Sequence, residues 1–161
     1  MKPLRILIVT DQALLREGVT SALALHPDLA VIVGETQSGQ RALRLAADLS
    51  PDVALVDVHL PGEDGVAVAA RLRDAWPHIS LVMLSSCEGS RALCEALKLG
   101  VSGYLSRNSD VKELFDLLES IARREAHLTP EMAVQILNRL ATAADEEDAC
   151  QPMLTLREFD V

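Results

Sequence analysis

The chain has 161 residues, with 15 Lys plus Arg against 24 Asp plus Glu and a formal net charge of −9. That length suits one domain with an appendage rather than several, and a surface of that sign repels phosphate backbones, so this chain alone is not expected to bind DNA well. With 49% hydrophobic residues but only four aromatics, Trp76, Tyr104, Phe115 and Phe159, the core has to be built from Val, Leu, Ile and Ala, which suits parallel strands covered by helices.

The first apolar run, Ile6 to Val9, is too short for a signal-peptide core, and no later run approaches the length of a membrane span. A soluble, cytoplasmic protein is expected. Cys87, Cys94 and Cys150 are odd in number and contain no C-x-x-C pair, which argues against a disulfide framework or a zinc site, so reduced thiols are expected. Cys87 is a candidate redox sensor, although a bystander cysteine is the commoner case.

Short β-rich runs occur at Arg5 to Thr10, Leu29 to Val33, Val53 to Val56, Ile79 to Leu84 and Ser102 to Leu105, each followed by a longer stretch with helical spacing. In the first such stretch Leu14, Leu15, Gly18, Val19, Ala22 and Leu23 recur every three to four residues; Val111, Leu114, Phe115, Leu118, Ile121 and Ala122 do so in the fifth. Asp110 followed by Glu113 reads as a capping box that starts the fifth helix. Five βα units in succession predict an α/β, doubly wound, five-stranded parallel sheet with right-handed crossovers and helices on both faces.

Beyond Ala126, Thr129 as a cap, Pro130 at the first helical position and the apolar face Met132, Ile136, Leu137 and Leu140 predict one extra linker helix. The acidic run Ala144 to Ala149 follows as a solvated, flexible segment.

In a doubly wound sheet, functional groups collect outside the carboxyl ends of the strands. Here those ends carry Thr10 and Asp11, then Asp57, then Ser85 and Ser86, then Arg107. Carboxylates, hydroxyls and a cation on one edge suit phosphoryl transfer: a carboxylate is the nucleophile, two carboxylates offer Mg²⁺ a hard oxygen site, and the hydroxyl and cation receive the transferred oxygens. Taken alone, Asp57 would be an ordinary turn carboxylate; Asp11, Ser85 and the Pro61-Gly62 turn reverse that preference. Ser86 reads equally well as a strand end or helix cap and is left out of the site.

The segments ILIVTDQALLREGV, PDVALVDVHLPGEDG, VMLSSCEG and GVSGYLSRN, in this order and spacing, resemble the successive motifs of bacterial response regulator receiver domains, and among them the NarL/FixJ (LuxR-type) group. The resemblance covers about residues 4 to 126, and the tail MLTLREFDV resembles the opening of that group's helix-turn-helix domain. It implies strand order 2-1-3-4-5, a receiver domain over 1–126, a linker helix and acidic linker over 127–152, and the start of a truncated DNA-binding domain at 153–161.

Carried over residue by residue, the resemblance makes Asp57 the phosphoacceptor. Asp11, Asp57 and the backbone carbonyl of His59 become the Mg²⁺ ligands, Ser85 the switch hydroxyl and Tyr104 the switch aromatic. Two positions depart from the family pattern. Thr10 stands where the family usually has an acid, which predicts weak metal binding; Arg107 stands where it has a lysine, and keeps the positive charge on a longer, planar fork in place of a point charge, free to pair with Asp57 in the resting state instead of contacting a phosphoryl oxygen. The implied partners are a sensor histidine kinase, a second copy in a homodimer, and DNA only through the missing C-terminal domain, with no membrane. The competing readings are a phosphorylation-independent receiver that acts as a constitutive interaction module, and a flavodoxin-like enzyme. The latter is disfavoured because no Gly-rich phosphate loop is present.

Overall fold

The computed structural model describes residues 2–85, 90–106 and 109–125, together with Ala133, Val134 and Leu137. The elements are β1 (Leu4–Val9), α1 (Ala13–Ala24), β2 (Ala30–Thr36), α2 (Gly39–Leu49), β3 (Val53–Asp57), β4 (His59–Leu60), β5 (Glu63–Asp64), α3 (Gly65–Ala75), β6 (Ser80–Ser85), α4 (Ser90–Leu99), β7 (Gly103–Ser106) and α5 (Val111–Ala122). Five strands form a parallel sheet in the order β2-β1-β3-β6-β7. With the small antiparallel β4–β5 hairpin set aside, this is the predicted 2-1-3-4-5 order.

Strand alternation divides the core in two. Leu7, Val9, Ala54, Val56, Leu81 and Met83 pack with Ala42 and Ala46 of α2, Val68 and Leu72 of α3 and Leu93 of α4. Ile6, Ile8, Val53, Leu55, Val82 and Leu84 face the other way, against Val19 and Leu23 of α1 and Leu114, Leu117 and Leu118 of α5. A sheet covered on both faces explains why the strands read as continuous aliphatic runs. The chain order reverses at β1, whose neighbours are β2 on one side and β3 on the other, and this switch point opens a crevice at the carboxyl ends.

Local chemistry sets the boundaries. Asp110 caps α5 as predicted, accepting from Glu113 N–H at 2.9 Å. Ser38 and Asp64 likewise accept from the first turns of α2 and α3. Gly100 at φ +82° ends α4, with Val101 N–H reaching back to the Ala96 carbonyl in a Schellman pattern. β2 runs three residues beyond its predicted end. A bulge between Ile6 and Leu7 shifts the register, and Gly34, Glu35 and Thr36 then pair with Leu7 to Val9 although Gly34 breaks the β-rich pattern. β1 closes at Val9, which leaves Thr10 just beyond the strand.

One expectation is corrected. Cys94, buried on α4, is disulfide-bonded rather than a reduced thiol, with its partner outside the described residues. Cysteine spacing does not reveal such a bond, because pairing depends on the distance between Cα atoms in the folded chain. Of the predicted linker helix, Ala133, Val134 and Leu137 are helical, the last two with exposed side chains. Thr129, Pro130, the acidic run, residues 153–161, Ser86, Cys87, Arg107 and Cys150 lie outside the described residues. No helix among the described residues is long and apolar enough to cross a membrane.

Candidate functional site

Among the described residues, four polar side chains are buried: Thr10, Thr36, Asp57 and Ser85. Each lies at or just past the carboxyl end of a strand, namely β1, β2, β3 and β6. Burying polar groups costs free energy unless they find partners, and a fold assembled for stability alone would scatter them. Their collection on one edge marks the site.

Asp57, 1% exposed, is its centre. Its Oδ2 accepts from the Thr10 hydroxyl at 2.7 Å and from Gln12 Nε2 at 3.1 Å. Its Oδ1 accepts from the His59 backbone N–H at 3.0 Å. Thr10 Oγ1 in turn accepts from Gln12 N–H at 3.2 Å, so one hydroxyl both shapes the turn after β1 and holds the carboxylate. Arg16 braces the same turn from α1, donating to the Thr10 carbonyl at 2.9 Å while its Nε lies 3.7 Å from Glu35 of β2. Among the described residues no cation lies within ion-pair distance of Asp57. Its charge is met there by neutral donors alone.

The chain after Asp57 is fixed from three sides. Val58 N–H donates to the Leu84 carbonyl and Gly65 N–H to the Val58 carbonyl, both at 2.8 Å. Pro61 and Gly62 form the β4–β5 turn, with Gly62 at φ +69° as the third turn position requires. Glu63 ties the hairpin to α2 by accepting from Gly39 N–H at 2.8 Å. Gly65 lies so close beneath Asp57 that a Cβ there would sit 1.8 Å from the Asp57 carbonyl oxygen.

The remaining predicted residues divide. Asp11 follows Thr10 directly and is exposed. Ser85 is buried at the end of β6, one residue past the Asp57–Leu84 register pair. Tyr104 is buried in the core on the α3/α4 side, beside Met83 in register. The His59 side chain is exposed, and its contribution to the site is the backbone N–H. Arg107 lies outside the described residues. Gln12 was missed by the sequence reading. A cleft of about 640 Å³ between α1 and α5 shares Gln12, Asp57 and Ser85 with the site and is otherwise lined mainly by apolar groups, Leu14, Leu55, Leu105 and Leu114 among them.

Among the described residues no three His, Cys, Asp or Glu side chains gather as a metal-holding group. The donor set still fits a hard divalent cation: Asp57 is a buried carboxylate, Asp11 is exposed and follows directly on the Thr10 that bonds Asp57, and Mg²⁺ needs only one or two protein carboxylates and keeps several waters.

A family model described as the response regulator receiver domain matches residues 6–119. The response regulator protein VraR of Staphylococcus aureus is 31% identical over 158 residues, covering 98% of this chain and 73% of that protein. Among solved structures, the signal receiver domain of the putative response regulator NarL from Mycobacterium tuberculosis is 33% identical with TM-score 0.69, covering 76% of this chain and 98% of that one. A two-component response regulator of the LuxR family from Aurantimonas sp. SI85-9A1 is 28% identical with TM-score 0.77, covering 87% and 99%.

Proposed function

This chain belongs to the LuxR-type response regulators of two-component systems and carries their receiver domain, and on that premise we propose that Asp57 is its phosphoacceptor. One observation carries the reading: Asp57 is buried at the switch point, with hydrogen-bond donors on both carboxylate oxygens and Ser85 buried at the neighbouring strand end.

The donor is the phosphohistidine of a sensor histidine kinase. A carboxylate oxygen of Asp57 attacks phosphorus in line, the P–N bond breaks, and the imidazole leaves with its electron pair and is protonated. His59 N–H orients the carboxylate, Ser85 Oγ hydrogen-bonds an oxygen of the transferred group, and Arg107 supplies the positive charge. Asp11, Asp57 and the His59 carbonyl would hold Mg²⁺, which neutralises charge on the phosphoryl oxygens. Engagement of Ser85 by the phosphoryl group favours one of two arrangements in which Tyr104 differs. Output passes through dimerisation to a C-terminal DNA-binding domain whose opening lies at 153–161. The regulatory role is cytoplasmic and non-enzymatic.

The test is intact mass after incubation with Mg²⁺ and acetyl phosphate. Addition of one phosphoryl group to the wild type and none to Asp57→Asn is the expected result. If a folded chain gains nothing here and a cognate kinase also fails, the constitutive interaction module becomes the better reading.

A further inference from the structure

An ionised carboxylate offers about four lone-pair positions on its two oxygens. On Asp57, Oδ2 has two donors, Thr10 and Gln12, and Oδ1 has one, the His59 N–H. Counting donors among the described residues, one position remains. Phosphoryl acceptance on a metal-loaded site needs two, one to attack phosphorus and one to bind the cation, so one of the three donors has to leave. This step rests on the reading of Asp57 as a metal-assisted phosphoacceptor.

The three donors are not equally free to move. His59 N–H belongs to backbone pinned between β3 and the β4–β5 hairpin. Thr10 is fully buried, and its hydroxyl is held by Gln12 N–H while it donates. Gln12 is an exposed residue on a flexible side chain. It occupies the N-cap position of α1 without making a side-chain cap, where Ser, Thr, Asp or Asn would bond the first turn. Its carboxamide points to Asp57 instead, from the residue next to Asp11.

We infer that Gln12 is a displaceable gate on the metal position: its carboxamide holds the metal-free Asp57 carboxylate, and a divalent cation binds only as that side chain swings away. Thr10 stays in place in both states. The gate makes the resting site ordered without metal and weakens cation binding by the cost of breaking one charge-assisted hydrogen bond.

The experiment is calorimetric titration of the full chain with MgCl₂, without phosphodonor, for wild type, Gln12→Ala, Gln12→Asn and Thr10→Val. Asparagine is one methylene shorter and cannot span to Oδ2, yet it caps a helix well, so it guards against loss of the fold. Both Gln12 variants should bind Mg²⁺ about three- to tenfold more tightly, in line with removal of one competing hydrogen bond. In the wild type, the Gln12 side-chain amide resonances, assigned by their absence in Gln12→Ala, should move to the position of a free carboxamide as Mg²⁺ saturates. Unchanged or weaker binding in both Gln12 variants overturns the gate, as does tighter binding in Thr10→Val alone, or no Mg²⁺ binding by any form. Metal binding with the expected ranking but no phosphorylation would leave the gate standing and remove the phosphoacceptor reading.

Discussion

Thr10 connects the two halves of the site through one oxygen, which accepts from Gln12 N–H and donates to Asp57. Thr10→Val keeps the shape but leaves a backbone N–H and a buried carboxylate each short of a partner. The expected destabilisation is about 1–3 kcal/mol in urea melts, with Thr10→Ser close to wild type. Thr10→Asp restores the family's acid and sets a second carboxylate against Asp57. Like charges at that range oppose each other until a cation joins them, so its midpoint should fall without Mg²⁺ and rise with added Mg²⁺ by more than the wild type's does, as thermal melts would show. Thr10, Asp57 and Ser85 were legible in the sequence because each is a polar residue ending an aliphatic strand. Gln12 was not, because nothing in its sequence neighbours says that a helix-capping position will use its side chain elsewhere.

At the scale of elements, the close approach of α3 to β3 fixes where the Asp57 backbone lies. Gly65 has no room for a Cβ against the Asp57 carbonyl, whereas a Cβ on Gly18, within α1, meets nothing within 4 Å. Gly65→Ala should therefore cost about 1–3 kcal/mol or more through overpacking and slow phosphorylation by shifting Asp57. Gly18→Ala should stabilise by about 0.4–1 kcal/mol through helix propensity and a less flexible unfolded chain. Urea melts read both, and equal effects would refute the packing argument. The five strands were predictable because each carries an aliphatic run, whereas the extension of β2 through Gly34 depends on pairing with β1 across a bulge. The β4–β5 hairpin announced only its Pro61-Gly62 turn. The Cys94 disulfide had no signature in spacing.

For the whole molecule, the question is which surface a second copy would cover. Leu14 is 85% exposed at the start of α1 and Val111 is 53% exposed at the start of α5, and both line the cleft that also reaches Asp57. A large apolar side chain left in water on the cleft that reaches Asp57 favours the α1/α5 face over the α4, β7 and α5 face, because its burial supplies a driving force that contact between polar surfaces lacks. Size-exclusion chromatography with light scattering should show a monomer that becomes a dimer with Mg²⁺ and acetyl phosphate. Leu14→Asp should remain monomeric while still gaining a phosphoryl group by mass, since Leu14 makes no hydrogen bond to Asp57. A Leu14→Asp protein that is phosphorylated and dimerises like the wild type would move the interface to the other face. Loss of phosphorylation in that variant would instead mean that the first turn of α1 holds the site as well as the interface.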